Sequence, residues 1–158
     1  MFRPMRRFKQ QLTNEECIEI LKNEPRGVLA VNGEEGYPYA LPIDFYYDDE
    51  NGRIYFHCAK TGYKTDMLRQ NNKVSFCVYD KGFVKDGDWA LNIKSVIAFG
   101  KIRFIEDINE TETQLRKLGL KYHPTAESVE YEIEHHLRRV QMLEMTIDHM
   151  TGKIVNEK

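Results

Sequence analysis

Pro38 and Pro42 stand four residues apart inside Tyr37–Tyr47, a run otherwise dense in aromatic and branched side chains. Such residues favour a pleated surface, whereas proline cannot donate to a sheet ladder. The spacing puts both rings on the same side of one strand, so this strand must lie at an edge or carry bulges. An edge leaves amides and carbonyls unpaired, and a planar heterocycle can pair with those groups. Asp48–Gly52 supplies turn chemistry, with Asn51-Gly52 able to take positive φ, and Arg53–Cys58 reads as a second short strand. Directly after it, Lys60 and Lys64 flank Gly62 where the chain enters a helix. Two ammonium groups, free backbone amides and a helix N-terminus in one place make an anion site, most naturally for a phosphate. The competing reading is a solvated lysine-rich loop.

The remainder of the chain alternates short strands with helices. Thr13-Asn14-Glu15-Glu16 is a capping box, opening a helix with Cys17, Ile18 and Leu21 on one face and Pro25 and Gly27 ending it. Val28–Val31 reads as a strand and Asn32–Gly36 as a turn. A helix is predicted over Tyr63–Gln70, a strand over Val74–Tyr79, and a polar loop over Lys81–Asp88. Trp89–Ile105 reads as a long strand system in which Gly100 marks a bulge or a barrel corner. Asn109–Leu118 is predicted helical with Gly119 just past its end, and Ser128–Arg139 is predicted helical from Val129, Ile133 and Leu137. Met142–Asp148 alternates as a strand, and a Thr151-Gly152 turn precedes a short tail.

About six strands with peripheral helices and no regular βαβ alternation predict a mainly β (α+β) fold, a small barrel rather than a doubly wound sheet. No GxGxxG follows the first strand, so a Rossmann nicotinamide site is not supported. No repeat or linker divides the chain, which reads as one domain over residues 1–158 with a basic arm at 1–10.

A net charge of −2 gives no global basic field and argues against nucleic acid as a partner. The arm residues Arg3, Arg6, Arg7 and Lys9 read as a solvated tail. No apolar run approaches the ~20 residues of a membrane span, and no signal-peptide core follows the basic start. Three scattered cysteines form neither a disulfide framework nor a CxxC site and fit a reducing cytoplasm. Cys17 and Cys77 read as small buried hydrophobes. His135 and His136 point about 100° apart on a helix, and neither they nor His123 has a histidine at i,i+4, so no metal site is expected. Trp89 reads as core or barrel-mouth packing.

Three segments carry a resemblance: YPYALPIDFYY at 37–47, IYFHCAKTGYKTDML at 54–68, and SVIAFGKI at 95–102. Together they resemble the flavin-binding split-barrel superfamily of the pyridoxamine 5′-phosphate oxidases, and within it the nitroimidazole-resistance (Nim) branch. The likeness extends from Met5-Arg6-Arg7 to the strand near Leu143–Ile147. It implies a split β-barrel with peripheral helices, FMN at a homodimer interface, and reduction of small nitro-aromatic compounds such as a 5-nitroimidazole.

By the same resemblance, Pro42, Ile43 and Asp44 contact FMN from the proline-bearing strand. His57, Cys58, Ala59, Lys60, Gly62 and Lys64 do so from the loop after the second strand, and Ser95 and Val96 from a later strand. Lys60 and Lys64 match the residues that hold the phosphate, Lys64 the better placed of the two. His57 matches the active-site histidine, and its near-neutral intrinsic pKa suits proton exchange with a substrate. Relatives often carry glycine where Cys58 stands, so Cys58 reads as a tolerated small residue rather than a nucleophile. The ending HMTGKIVNEK lacks the Arg-Leu-Xaa-Pro-like terminus that pyridoxamine-phosphate oxidases place near their substrate. A non-catalytic flavin or haem binder is the competing class, since the same barrel hosts both.

Overall fold

A computed structural model describes residues 1–156; Glu157 and Lys158, the last two of the C-terminal ending, lie outside the described residues. In chain order the elements are α1 (Asn14–Asn23), β1 (Arg26–Asn32), β2 (Pro38–Asp44), β3 (Tyr46–Asp48), β4 (Arg53–Ala59) and α2 (Tyr63–Gln70). There follow β5 (Lys73–Tyr79), β6 (Phe83–Val84), β7 (Leu91–Ile105), α3 (Ile108–Tyr122), α4 (Ala126–His136) and β8 (Val140–Asn156). The strands form one antiparallel sheet in the order β2-β1-β5-β7-β8-β4-β3, with β6 added on β7. The two edge strands β2 and β3 are separated in sequence by Phe45 alone. Opposite edges joined by one residue must meet, so the sheet curls into a half-barrel. This is the mainly β fold with peripheral helices that the strand pattern predicts.

Inside the curl, Phe45, Phe56 and Phe76 pack edge to face at centroid distances of 4.9 and 5.0 Å. Leu29, Ile54, Val78, Val96, Leu143 and Met145 surround them, fully or almost fully buried. Each such side chain contributes about 1.5–3 kcal/mol through removal from water. α1 plugs one end of the barrel with Cys17, Ile20 and Leu21. Its capping box is complete: Glu16 N–H donates to Thr13 Oγ1 at 3.2 Å, and Thr13 N–H to Glu16 Oε2 at 2.9 Å. A second, smaller core of Tyr55, Ile105, Leu118 and Met142 seats α3 on the outer face of β4 and β8. Beside it the buried Glu144 carboxylate accepts from Arg53, Arg103 and Tyr55. Burial pushes the Glu144 carboxyl up, but those three donors outweigh it and hold its pKa below the ordinary carboxylate value.

Several expectations change. The sheet has eight strands rather than six, because the Tyr37–Tyr47 run divides at Phe45 into β2 and β3 and the loop at Lys81–Asp88 contributes Phe83–Val84 as a short partner for Leu91 and Asn92. α1 stops at Asn23, and Gly27 lies within β1 rather than ending the helix. α3 continues through Gly119 to Tyr122, since that glycine is a contact point: a Cβ there would meet Val129 Cγ1 of α4 at 2.9 Å. Thr151 and Gly152 form no turn but lie inside β8, where a Cβ on Gly152 would meet Cys17 Sγ of α1 at 2.4 Å. α4 ends at His136, followed by a 3-10 turn over Leu137–Arg139. Trp89 is 71% exposed, not core, and Cys77 is only half-buried. The bulge at Gly100 is present: Phe99 pairs with His149 and Gly100 with Ile147, leaving Asp148 as the extra residue. Among the described residues no helix is long and apolar enough to cross a membrane.

Candidate functional site

β2 is an edge strand, with both prolines exposed and its ladder bonds made to β1 alone. Its C-terminal half lies against β4, so Pro42, Ile43 and Asp44 come to the end of the strand that carries His57 and Cys58. Ile43 is buried in the barrel, whereas Asp44 stays half-exposed and its Oδ1 accepts from Arg26 Nε at 2.9 Å. The loop Ala59–Gly62 is open to solvent. It ends on Gly62 at φ 145°, a value side chains rarely adopt, with open space where a Cβ would stand. Thr65 Oγ1 donates to the Gly62 carbonyl at 2.8 Å and tightens the entry to α2.

Lys64 is the second residue of α2, half-buried, and among the described residues its ammonium has no hydrogen bond or ion pair. It lies beside the first-turn amides, which have no partner within the helix. Lys60 is fully on the surface. Tyr63 fixes this corner: its hydroxyl accepts from the Glu34 amide at 2.8 Å and its ring packs against Tyr39 of β2 at 4.9 Å. The start of α2 is thereby tied to the edge strand.

His57 is the residue on which these groups converge. Although its ring remains exposed, crowding by surrounding atoms pushes its pKa below the ordinary 6.5. Asp44 draws it up and Lys64 pushes it down, so both charges bear on the same imidazole. The ring is therefore neutral near pH 7. Burial pushes the Cys58 thiol up, only partly offset by the Lys64 ammonium. It remains a thiol, in keeping with a small packing residue rather than a nucleophile.

Ser95 and Val96 are not brought to this place within one chain. In the sheet His57 pairs with Met142, which pairs with Ile105 on β7; Ser95 pairs with Tyr79 and Lys153. From Ser95 to Ile105 is about 33 Å of strand at the usual rise per residue. Val96 is fully buried in the barrel. Ser95 lines a separate surface pocket of about 210 Å³ with Arg3, Thr151 and Lys153.

One wall of the site was not apparent in the sequence. His57 and Asp44 border a cavity of about 260 Å³ whose other walls are Leu115, Leu118 and Gly119 of α3, Val129 and Ile133 of α4, and Val140. Tyr122, His123, Glu132 and His136 complete it. The available signal was the histidines on these helices, considered as metal ligands only. Among the described residues no group of three or more His, Cys, Asp or Glu side chains is arranged to hold a metal. A larger open groove of about 740 Å³ crosses the outer faces of β1, β5 and β7, but none of the groups converging on His57 lines it.

This geometry, a neutral imidazole between a carboxylate and an unpaired ammonium at a sheet edge, sits inside a recognisable sequence frame. Residues 13–154 match the family model described as pyridoxamine 5′-phosphate oxidase. The chain belongs to that family. No curated protein sequence matches it. Among solved structures, it is similar to a candidate 5-nitroimidazole antibiotic resistance protein from Bacteroides thetaiotaomicron. That match has 23% identity and a TM-score of 0.76, covering 92% of this chain and 87% of the other. An FAD-binding protein from Mesorhizobium loti matches with 23% identity and a TM-score of 0.66 over 92% and 97% of the two chains. The flavocytochrome Anf3 from Azotobacter vinelandii matches with 18% identity and a TM-score of 0.77 over 96% and 72%. At these identities the likeness establishes the split-barrel fold that the family shares.

Proposed function

We propose that this protein is an FMN-dependent oxidoreductase that reduces small nitro-aromatic compounds, in the manner of nitroimidazole-resistance proteins, as a cytoplasmic homodimer. The observation that carries the reading is the convergence of the unpaired Lys64 ammonium, the His57 imidazole and the free edge of β2 on one corner of the barrel. The residues fit the group. Lys64 and the first-turn amides of α2 would hold a phosphate, and Gly62 leaves room for it to approach. The backbone of Pro42–Asp44 would meet the polar edge of a planar ring. Bound FMN would supply the electrons, and the protein's part is binding, orientation and proton supply. His57 would hold a nitro oxygen through its N–H and, once protonated, give up a full proton there.

Ser95 takes part in this scheme only from a second copy, because it lies at the far end of β7, and the fully buried Val96 takes part only by packing beneath it. Light scattering should therefore give a dimer.

A non-catalytic flavin or haem binder is the second reading, favoured by the similarity to a flavocytochrome over 96% of this chain. Reconstitution with FMN, chemical reduction, and anaerobic mixing with a 5-nitroimidazole separate the two. Faster reoxidation with the nitro compound supports the oxidoreductase. A flavin spectrum with no response to it supports the binder, and a Soret band in the purified protein supports haem.

A further inference from the structure

The cavity between α3, α4 and His57 differs in kind from the exposed loop that faces Lys60 and Lys64. Its floor is apolar: Leu115 and Leu118 from one helix, Val129 and Ile133 from the other, Val140 from β8. At about 260 Å³ it falls below the ~300–1,000 Å³ typical of sites for drug-sized ligands. A single aromatic ring with a short substituent fits within it.

Polar groups line the rim, and their charges are of one sign. Asp44 and Glu132 are carboxylates, and no lysine or arginine is among the lining residues. Arg26 covers one oxygen of Asp44 from outside, and His136 stands 3.5 Å from Glu132. The Tyr122 hydroxyl is committed to backbone groups of Pro25 and Phe45. His123 Nδ1 is engaged by Ser128 Oγ at 2.6 Å. The imidazoles of His57 and His136 and the outer nitrogen of His123 remain to pair with a ligand.

We infer that this cavity binds a neutral or weakly basic single-ring aromatic compound and excludes anionic rings of the same size. The inference rests on the reading of His57 as the residue facing the substrate, and it assigns the selectivity to α3 and α4 rather than to the flavin contacts. A ring carboxylate entering here would meet the Glu132 carboxylate and the uncovered oxygen of Asp44, with no lysine or arginine in the lining, enough to weaken it about tenfold.

The test is a titration of histidine-labelled protein, with and without FMN, followed by the imidazole NMR signals. The probes are 4-nitrobenzyl alcohol and 4-nitrobenzoate. The alcohol should shift the signals of His57, His123 and His136 saturably, and the benzoate should bind about tenfold more weakly. Leu115→Trp should abolish binding of the alcohol while flavin uptake and melting temperature stay as in wild type. Glu132→Gln, a surface change, should narrow the gap between alcohol and benzoate even if the tryptophan variant does not fold. Equal affinities for alcohol and benzoate, or histidine signals that no probe moves, would overturn the inference. Saturable ring binding in a protein that takes up no flavin would remove the flavin reading and leave the cavity assignment standing.

Discussion

The Tyr122 hydroxyl lies 2.8 Å from both the amide and the carbonyl of Phe45, the single residue between the two edge strands. It also stands 2.6 Å from the Pro25 carbonyl. Its oxygen accepts from the Phe45 N–H, while its one proton goes to a carbonyl. Burial pushes the phenol up to about 12, so that proton is kept across the physiological range. The last residue of α3 thus clasps the point where the curled sheet closes.

Tyr122→Phe keeps the ring and removes the clasp, leaving the Phe45 amide without its partner. Urea unfolding should show a loss of about 1–3 kcal/mol with an unchanged slope. A midpoint equal to that of wild type would show that closure does not depend on this hydroxyl.

Lys121 works at the same seam. Its ammonium donates to the carbonyls of Glu24 at 2.7 Å and Phe45 at 3.0 Å, and lies 3.8 Å from the centre of the Phe45 ring. Burial brings its pKa down to about 8 from 10.5, against the upward pull of Asp44 and Glu24. The folded protein therefore releases this proton before the unfolded chain does. Between pH 8 and 10.5 the unfolded state binds more protons, so this residue's contribution to stability rises with pH across that window. Lys121→Met should lack the rise. Chemical denaturation of both proteins from pH 7 to 10 measures the difference, and parallel curves would contradict the assignment.

Lys64→Ala should weaken FMN roughly ten- to a hundredfold, since a charge-assisted contact to phosphate is worth about 1.5–3 kcal/mol. Riboflavin, which lacks the phosphate, should lose far less. Fluorescence titration of the two flavins reads the difference directly; equal losses would place Lys64 away from the phosphate.

His57→Asn should leave FMN affinity nearly intact and slow reoxidation of the reduced flavin by a nitroimidazole by about 10²–10⁴. Because the imidazole pKa lies below 6.5, the wild-type rate should climb as pH falls beneath that value. The asparagine variant should show no such climb. Stopped-flow traces from pH 5 to 8 decide this, and an unaltered profile in the variant would return His57 to a structural role.

Features that depend on neighbouring residues were legible in the sequence. The Thr13–Glu16 capping box, the Tyr63–Gln70 bounds of α2, the edge position of the proline-bearing strand and the bulge at Gly100 all follow from local backbone chemistry. Gly119 and Gly152 were misread because glycine after an apolar run signals a stop or a turn, whereas here each is small to admit a distant atom of Val129 or Cys17. Trp89 reads as core or barrel-mouth packing because nothing nearby in sequence reveals that its loop leaves it outside. Of the site, the half built from residues 42–64 is contiguous and carries turn, proline and lysine signals. The half built by Leu115, Ile133 and His136 reaches His57 only through tertiary packing, and periodicity alone does not say which partner a helix face meets.

Asp148 gives the 17-residue β8 two opposite parities. Before it, Leu143, Met145 and Ile147 turn toward the barrel core; after it, the even-numbered Met150 and Ile154 do so, and Gly152 approaches α1. Side chains along a strand alternate with a period of two, so one inserted residue exchanges the faces of everything beyond it. Were Asp148 paired in regular alternation instead of bulged out, Thr151 and Lys153 would point into the apolar interior while Met150 and Ile154 turned to solvent. Half of the longest strand is right side in only because one residue is out of step.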